Sequence, residues 1–195
     1  EVAPALAAAL AADIPIVAVH LTRPPIEIPD REALGMATHL DAAKGAYIIK
    51  EYDMNRPKEG LVIVRGTSST NSLVEILPKL KLKGPNVKVV AAISWELFQQ
   101  QTEGYRQSTI SNQEWMDAMV ITNGAKRLMH KWIANRVVEE YSMSPDFDNR
   151  WRSGGSLDEI IAESKLDSES VWEGINQFAR SRKQRLASIQ ESIPE

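Results

Sequence analysis

The chain has 195 residues, of which 43% are hydrophobic and 25% charged, and its formal net charge is −3 at pH 7. That composition suits a soluble globular protein of one full domain with extra material, and it offers no bulk positive field to recruit nucleic acid or an anionic membrane. The lack of cysteine excludes disulfides and thiolate chemistry and fits a cytoplasmic location, while only three histidines (His20, His39 and His130) argue against a structural zinc site.

The chain opens EVAPALAAALAADIPIVAVHL. Glu1, Asp13 and Pro15 do not make a signal peptide, and the apolar run breaks before membrane-spanning length. We read a helix over Pro4–Ala12 and a strand over Ile16–Leu21. An opening inside a helix, without Met, reads as a cut from something larger. Pro24–Lys44 reads as a connector, because Pro24, Pro25 and Pro29 forbid regular structure. A short helix within Arg31–Ala43 is compatible with it.

From Gly45 onward, strands and helices alternate, the mark of an α/β domain. The expected strands are Ala46–Glu51, Leu61–Arg65, Val87–Ala92, Ala118–Thr122 and Arg136–Tyr141. A small polar turn, Gly66–Thr70, leads into a helix over Asn71–Leu82, where Leu73, Ile76, Leu77 and Leu80 give one apolar face. Ala125–Ile133 puts Leu128, Met129, Trp132 and Ile133 on one side. Ser156 with Glu159 is a capping box that opens Leu157–Ser164. Ser168 opens a long helix with a face of Val171, Ile175 and Phe178. The charged tail after Arg180 is expected to fray.

Some residues invite chemistry. Gly66, Thr67, Ser68 and Ser69 stand between a strand and a helix, where backbone amides can hold a small anion. The spacing is neither GxGxxG nor GxxxxGK[ST], and a tight turn with Ser or Thr capping is the plainer reading. Arg23 follows a strand and could present a guanidinium fork to a phosphate, although a solvated loop arginine is the plainer reading. His20 reads as structural, and His39 and His130 as surface or interface residues. The acid pairs Glu139-Glu140 and Asp158-Glu159 read as solvated faces. Trp95, Trp115, Trp132, Trp151 and Trp172 read first as core and second as interface. Ser144–Gly155 reads as an ordered loop at a junction or dimer seam.

The most informative stretch is Val87–Phe98, VKVVAAISWELF. A buried-type run stops at Ser94, a good helix N-cap, and Trp95, Glu96, Leu97 and Phe98 follow. This segment resembles the strand-to-turn joint of the transketolase C-terminal domain, where a valine-rich strand enters a Ser-Trp-Glu-Leu-Phe turn. Tyr105-Arg106-Gln107-Ser108 is similar to the tyrosine-arginine-acid-serine that comes next in that family. Gly45–Lys50 (GAYIIK) looks like the family's first strand of this domain. Met119–Asn123 and SLDEIIAESKLDSESVWEGI fall in the family's order, so the resemblance covers most of the chain.

The resemblance implies an α/β fold with three α/β/α layers around a mixed, mostly parallel five-stranded sheet. It divides the chain into 1–23, the last helix and strand of a pyrimidine-binding domain; 24–44, a linker; 45–180, the C-terminal domain; and 181–195, a tail. Leu21-Thr22-Arg23 matches a Leu-Ser-Arg ending whose arginine contacts the sugar-phosphate end of the substrate in the family. Pro24-Pro25 departs from the usual Gln-Asn continuation. The family's reaction is two-carbon ketol transfer between sugar phosphates, with thiamine diphosphate and Mg²⁺ (or Ca²⁺) held by two other domains. Its Gly-Asp-Gly motif is absent from this sequence, as is its glutamate-bearing pyrimidine motif. The resemblance therefore implies no catalytic, cofactor or metal residue in this chain, and inactivity alone. Its role would be to support a homodimer and shape the substrate funnel, with the remaining domains as partners. The alternatives are a freestanding regulatory module binding a small anion or nucleotide, and the C-terminal part of another thiamine enzyme such as an E1 dehydrogenase component.

Overall fold

Near-continuous apolar runs such as LVIVR and AMVIT cannot leave either face in water, so they require a sheet covered on both sides. The computed structural model, which describes residues 1–21, 25–150, 152 and 154–191, shows that arrangement. Four strands, β1 (Ala46–Lys50), β2 (Leu61–Arg65), β3 (Lys88–Ala92) and β4 (Ala118–Thr122), form one sheet in the order β1-β3-β2-β4. β2 runs parallel to both β3 and β4, while β1 pairs antiparallel with β3. Central β2 alternates its side chains between two cores. Val62 and Val64 join one with Leu73, Leu77, Val171 and Phe178; Leu61 and Ile63 join the other with Phe98, Met129 and Trp132.

Nine helices surround the sheet among the described residues. α1 (Val2–Ala11) packs on the 3-10 segment His39–Lys44, and Glu1 accepts hydrogen bonds from Arg31 and Tyr47. α2 (Thr67–Lys83) crosses one face from β2 to β3. α3 (Trp95–Gln99), α4 (Glu103–Thr109) and α5 (Asn112–Met116) lead from β3 to β4, and Phe98 and Ile110 pack on the opposite face. A 3-10 segment, Lys126–Trp132, and α6 (Arg136–Tyr141) follow on that second face. α7 (Leu157–Glu163) precedes α8 (Ser168–Arg180), which lies on the α2 side, and α9 (Arg182–Glu191) ends the described chain.

The expected α/β class, layers and mixed sheet are present, with four strands instead of five. The fifth, expected at Arg136–Tyr141, is α6. Asn135 caps it by accepting the Val138 amide at 2.9 Å, which outweighs the strand preference of the two valines. The chain does return to the sheet just afterwards. Met143 donates to Val120 O at 2.8 Å and accepts from Thr122 N at 3.0 Å, a single parallel bridge. Pro145, which lacks an amide hydrogen, stands two residues on. Ile16–Leu21 forms no strand, and the helix option in Arg31–Ala43 resolves into a turn at 31–35 and the 3-10 segment. α2 begins at Thr67, so most of the expected polar turn is its first turn.

The tail is also corrected: it does not fray from Arg180 but forms α9, and the reason is one acid. Asp117, at the entry to β4 and 6% exposed, accepts from Arg185 Nη2 at 2.6 Å and from Arg182 Nε at 2.7 Å. Arg185 is 2% exposed, and its guanidinium lies 3.5 Å from the Phe178 ring centroid. Asp117→Asn should leave a buried guanidinium without its counter-charge and lower stability by about 3 kcal/mol. Adding Arg185→Met should recover part of that loss, because an apolar pair removes the stranded charge. Urea unfolding followed by circular dichroism reads both. An unchanged midpoint for Asp117→Asn would show that the acid is dispensable.

Candidate functional site

The Val87–Phe98 joint is built by hydrogen bonds that its sequence dictates. Ser94, extended at φ −145°, ends β3 and accepts the Leu97 amide at 3.3 Å, which starts α3. Gly45 O accepts from both Ile93 N and Ser94 N at 2.9 Å. Gly45 sits at φ +82°, and a Cβ there would stand 2.2 Å from Phe98 N and 2.4 Å from Ser94 O. Only glycine fits so close a backbone approach.

Side chains after the cap lock the joint. Trp95 meets Trp132 edge-on at 5.0 Å and Trp115 at 6.0 Å, and Trp115 Nε1 donates to Trp132 O at 2.9 Å. Glu96 pairs with Lys131 at 2.5 Å, and that bond holds its carboxyl below the usual range. Tyr105 donates its hydroxyl to Ala46 O at 2.8 Å, and burial, the largest cause, raises its pKa above the usual tyrosine value. Arg106 turns back onto Gln99 O at 3.1 Å and onto Glu103. The residues that carry the family signature thus hold β1, β3 and α3 together.

The second place is the carboxyl end of β2 beside that of β4. α2 leaves β2 toward one face, while the chain after β4 turns to the other. Gly66 N-caps α2 without a side chain, at φ +95°. A Cβ there would lie 1.7 Å from Asn123 Oδ1, so glycine is again required. Asn123 Nδ2 donates to Ser68 Oγ at 3.0 Å. Ser68 and Ser69 are buried, and Ser69 Oγ has no partner. The serine hydroxyls of the turn are thus withdrawn from its surface. Sequence reasoning missed Asn123. The signal was its Thr122-Asn123-Gly124 turn directly after a strand.

Arg23 and Trp151 lie outside the described residues. His20, His39 and His130 are exposed. Trp132 is core, and Trp95, Trp115 and Trp172 pack partly buried against the two cores. No group of three His, Asp or Glu side chains among the described residues could hold a metal ion. No helix among them is long and apolar enough to cross a membrane.

Comparison with known proteins points one way. Residues 45–144 match the family model described as the transketolase-like C-terminal domain. A transketolase of Nostoc sp. is 29% identical over 131 residues, covering 64% of this chain and 19% of that protein. The chloroplastic transketolase of Solanum tuberosum is 37% identical over 71 residues, covering 35% of this chain and 9% of that protein. This chain therefore spans at most about a fifth of either relative. A mutant transketolase of Pichia stipitis, crystallised with xylulose 5-phosphate, superposes with a TM-score of 0.56 at 19% identity over 74% of this chain and 19% of that chain. The Leishmania mexicana transketolase gives 0.51 at 16% identity over 73% of this chain and 19% of its own. At such identities the structural likeness speaks for the fold.

Removing the cap tests the joint. Ser94→Ala should cost about 1 kcal/mol and lower the thermal midpoint by about 2–4 °C, read by calorimetry. No shift would mean that α3 starts without its cap.

Proposed function

The chain belongs to the transketolase C-terminal-domain family, and from that premise we propose that it works as the C-terminal part of a transketolase-like enzyme. The observation that carries the proposal is the family match over residues 45–144, which spans the capped joint and the whole sheet. The whole enzyme would transfer a two-carbon ketol unit between sugar phosphates in the cytoplasm. This chain would buttress a homodimer and shape the substrate approach, without turnover of its own.

Thiamine diphosphate and a divalent metal would be held by the other domains. Two observations support that placement: the sequence lacks Gly-Asp-Gly, and the described residues assemble no metal-binding cluster. We derive no catalytic step through these groups for this chain. Arg23 is proposed as its substrate contact, on the Leu21-Thr22-Arg23 resemblance. The Gly66–Ser69 turn is kept only as a candidate amide site for a small anion. The division into 1–23, 24–44, 45–180 and 181–195 is likewise proposed, with α9 now a helix within the last segment.

Surface chemistry supports partner domains. The 14–21 stretch has no regular secondary structure and carries Ile16 at 84% and Leu21 at 72% exposure, together with the exposed Val17 and Val19. Apolar side chains in such a row are the kind that another protein surface covers. Nothing observed here favours the freestanding nucleotide-binding module or the E1-type alternative.

Calorimetric titration of this chain with thiamine diphosphate and Mg²⁺ should give no binding heat. Micromolar binding would overturn the assignment of the coenzyme to other domains. In the complete enzyme, Arg23→Ala should raise KM for phosphorylated sugars more than it lowers kcat. An unchanged KM would remove Arg23 from the substrate site.

A further inference from the structure

An open cavity of about 390 Å³ lies where β1 ends. Three cations from separate elements line it: Lys50 from β1, Arg56 from the loop that follows and Lys81 from the last turn of α2. Main-chain carbonyls hold all three. Lys50 Nζ donates to Val87 O at 2.8 Å and to Glu51 O at 3.2 Å. Arg56 Nη2 donates to Gly84 O at 2.8 Å, and Lys81 Nζ to Leu34 O. Among the described residues, the nearest acid to Arg56 is Glu59 at 3.9 Å, and neither lysine has an ion-pair partner.

Two acids share the rim, and both are engaged. Glu51 accepts the Tyr52 amide at 2.9 Å and lies 3.6 Å from Lys88 Nζ. Asp53 accepts the Asn55 amide at 2.9 Å. Lys50 feels the crowding. Burial lowers its proton affinity most, Arg56 and Lys81 lower it further, and Glu51 and Asp53 only partly offset them.

The backbone places Lys50 deliberately. Ile48 pairs with Val90 and Lys50 with Val89, so β1 carries one extra residue there. Such a bulge frees a side chain from strict alternation and re-aims it. Lys50 ends 9% exposed, at the amino end of β3. This is the opposite end of the sheet from the Gly66–Ser69 turn.

Three cations outnumber the two rim acids, and the excess of like charge is what an anion would relieve. We propose that this cavity binds the phosphoryl group of a small phosphate monoester. Arg56 presents a planar fork suited to two phosphate oxygens, and the two lysines add point charges. Ile48 and Tyr52 line the same cavity and give the organic part an apolar wall.

Inorganic phosphate and glycerol 3-phosphate, titrated into the full chain at constant ionic strength, test the site by calorimetry and phosphorus NMR. Saturable binding is expected, tighter for the monoester. Arg56→Ala and Lys81→Ala should each weaken it about tenfold, the effect of losing one charge-assisted hydrogen bond. Lys83→Ala removes the same charge two residues on, from a side chain that does not line the cavity, and should leave affinity unchanged. Circular dichroism confirms that each variant is folded. Absent saturation, or equal weakening by Lys83→Ala and Lys81→Ala, would overturn the site. Equal affinity for the two anions would overturn its assignment to a monoester.

Discussion

A single carboxylate joins the last described helix to the sheet. Asp117 is the residue just before β4, and its backbone oxygen accepts the Leu61 amide of β2 at 3.0 Å. Its side chain takes two arginines from α9, one of them buried. A buried charge pair adds little net stability, but a broken one is costly, so the arrangement favours one docking position over all others. With α9 fixed, Arg185 stacks on Phe178 of α8 and closes the core on the α2 side. The helical layer over one face thus depends on a pair formed where β4 enters the sheet.

The sequence showed the sheet well and its margins poorly. β1 to β4 were legible because Tyr47, Ile63, Val90 and Val120 belong to runs that only a covered sheet can satisfy. The capping box at Ser156 and the cap at Ser94 were legible because each is a local contract among neighbours. α6 was misread, since two adjacent valines look like a strand and the deciding Asn135 lies just outside them. α9 was misread for a different reason. Its order comes from Asp117, 68 residues away from Arg185, and no local pattern carries that partnership.

The same distinction applies to function. The Ser94–Phe98 turn identified the family because it is contiguous, and what it builds in the fold is a joint. Lys50, Arg56 and Lys81 are scattered in sequence and have no motif, but the fold collects them at one cavity. A signature that names a family and a site that binds a ligand need not coincide in sequence.

The one-residue bridge at Met143 has a consequence for solubility. A long bare strand margin is a template on which a stranger's backbone can zip up. Beyond β4, the described chain offers one rung at Met143 and then Pro145, which cannot donate another. The opposite rim is β1, only five residues long, kinked by an extra residue and finished by a lysine. Both borders therefore discourage fibre-like growth.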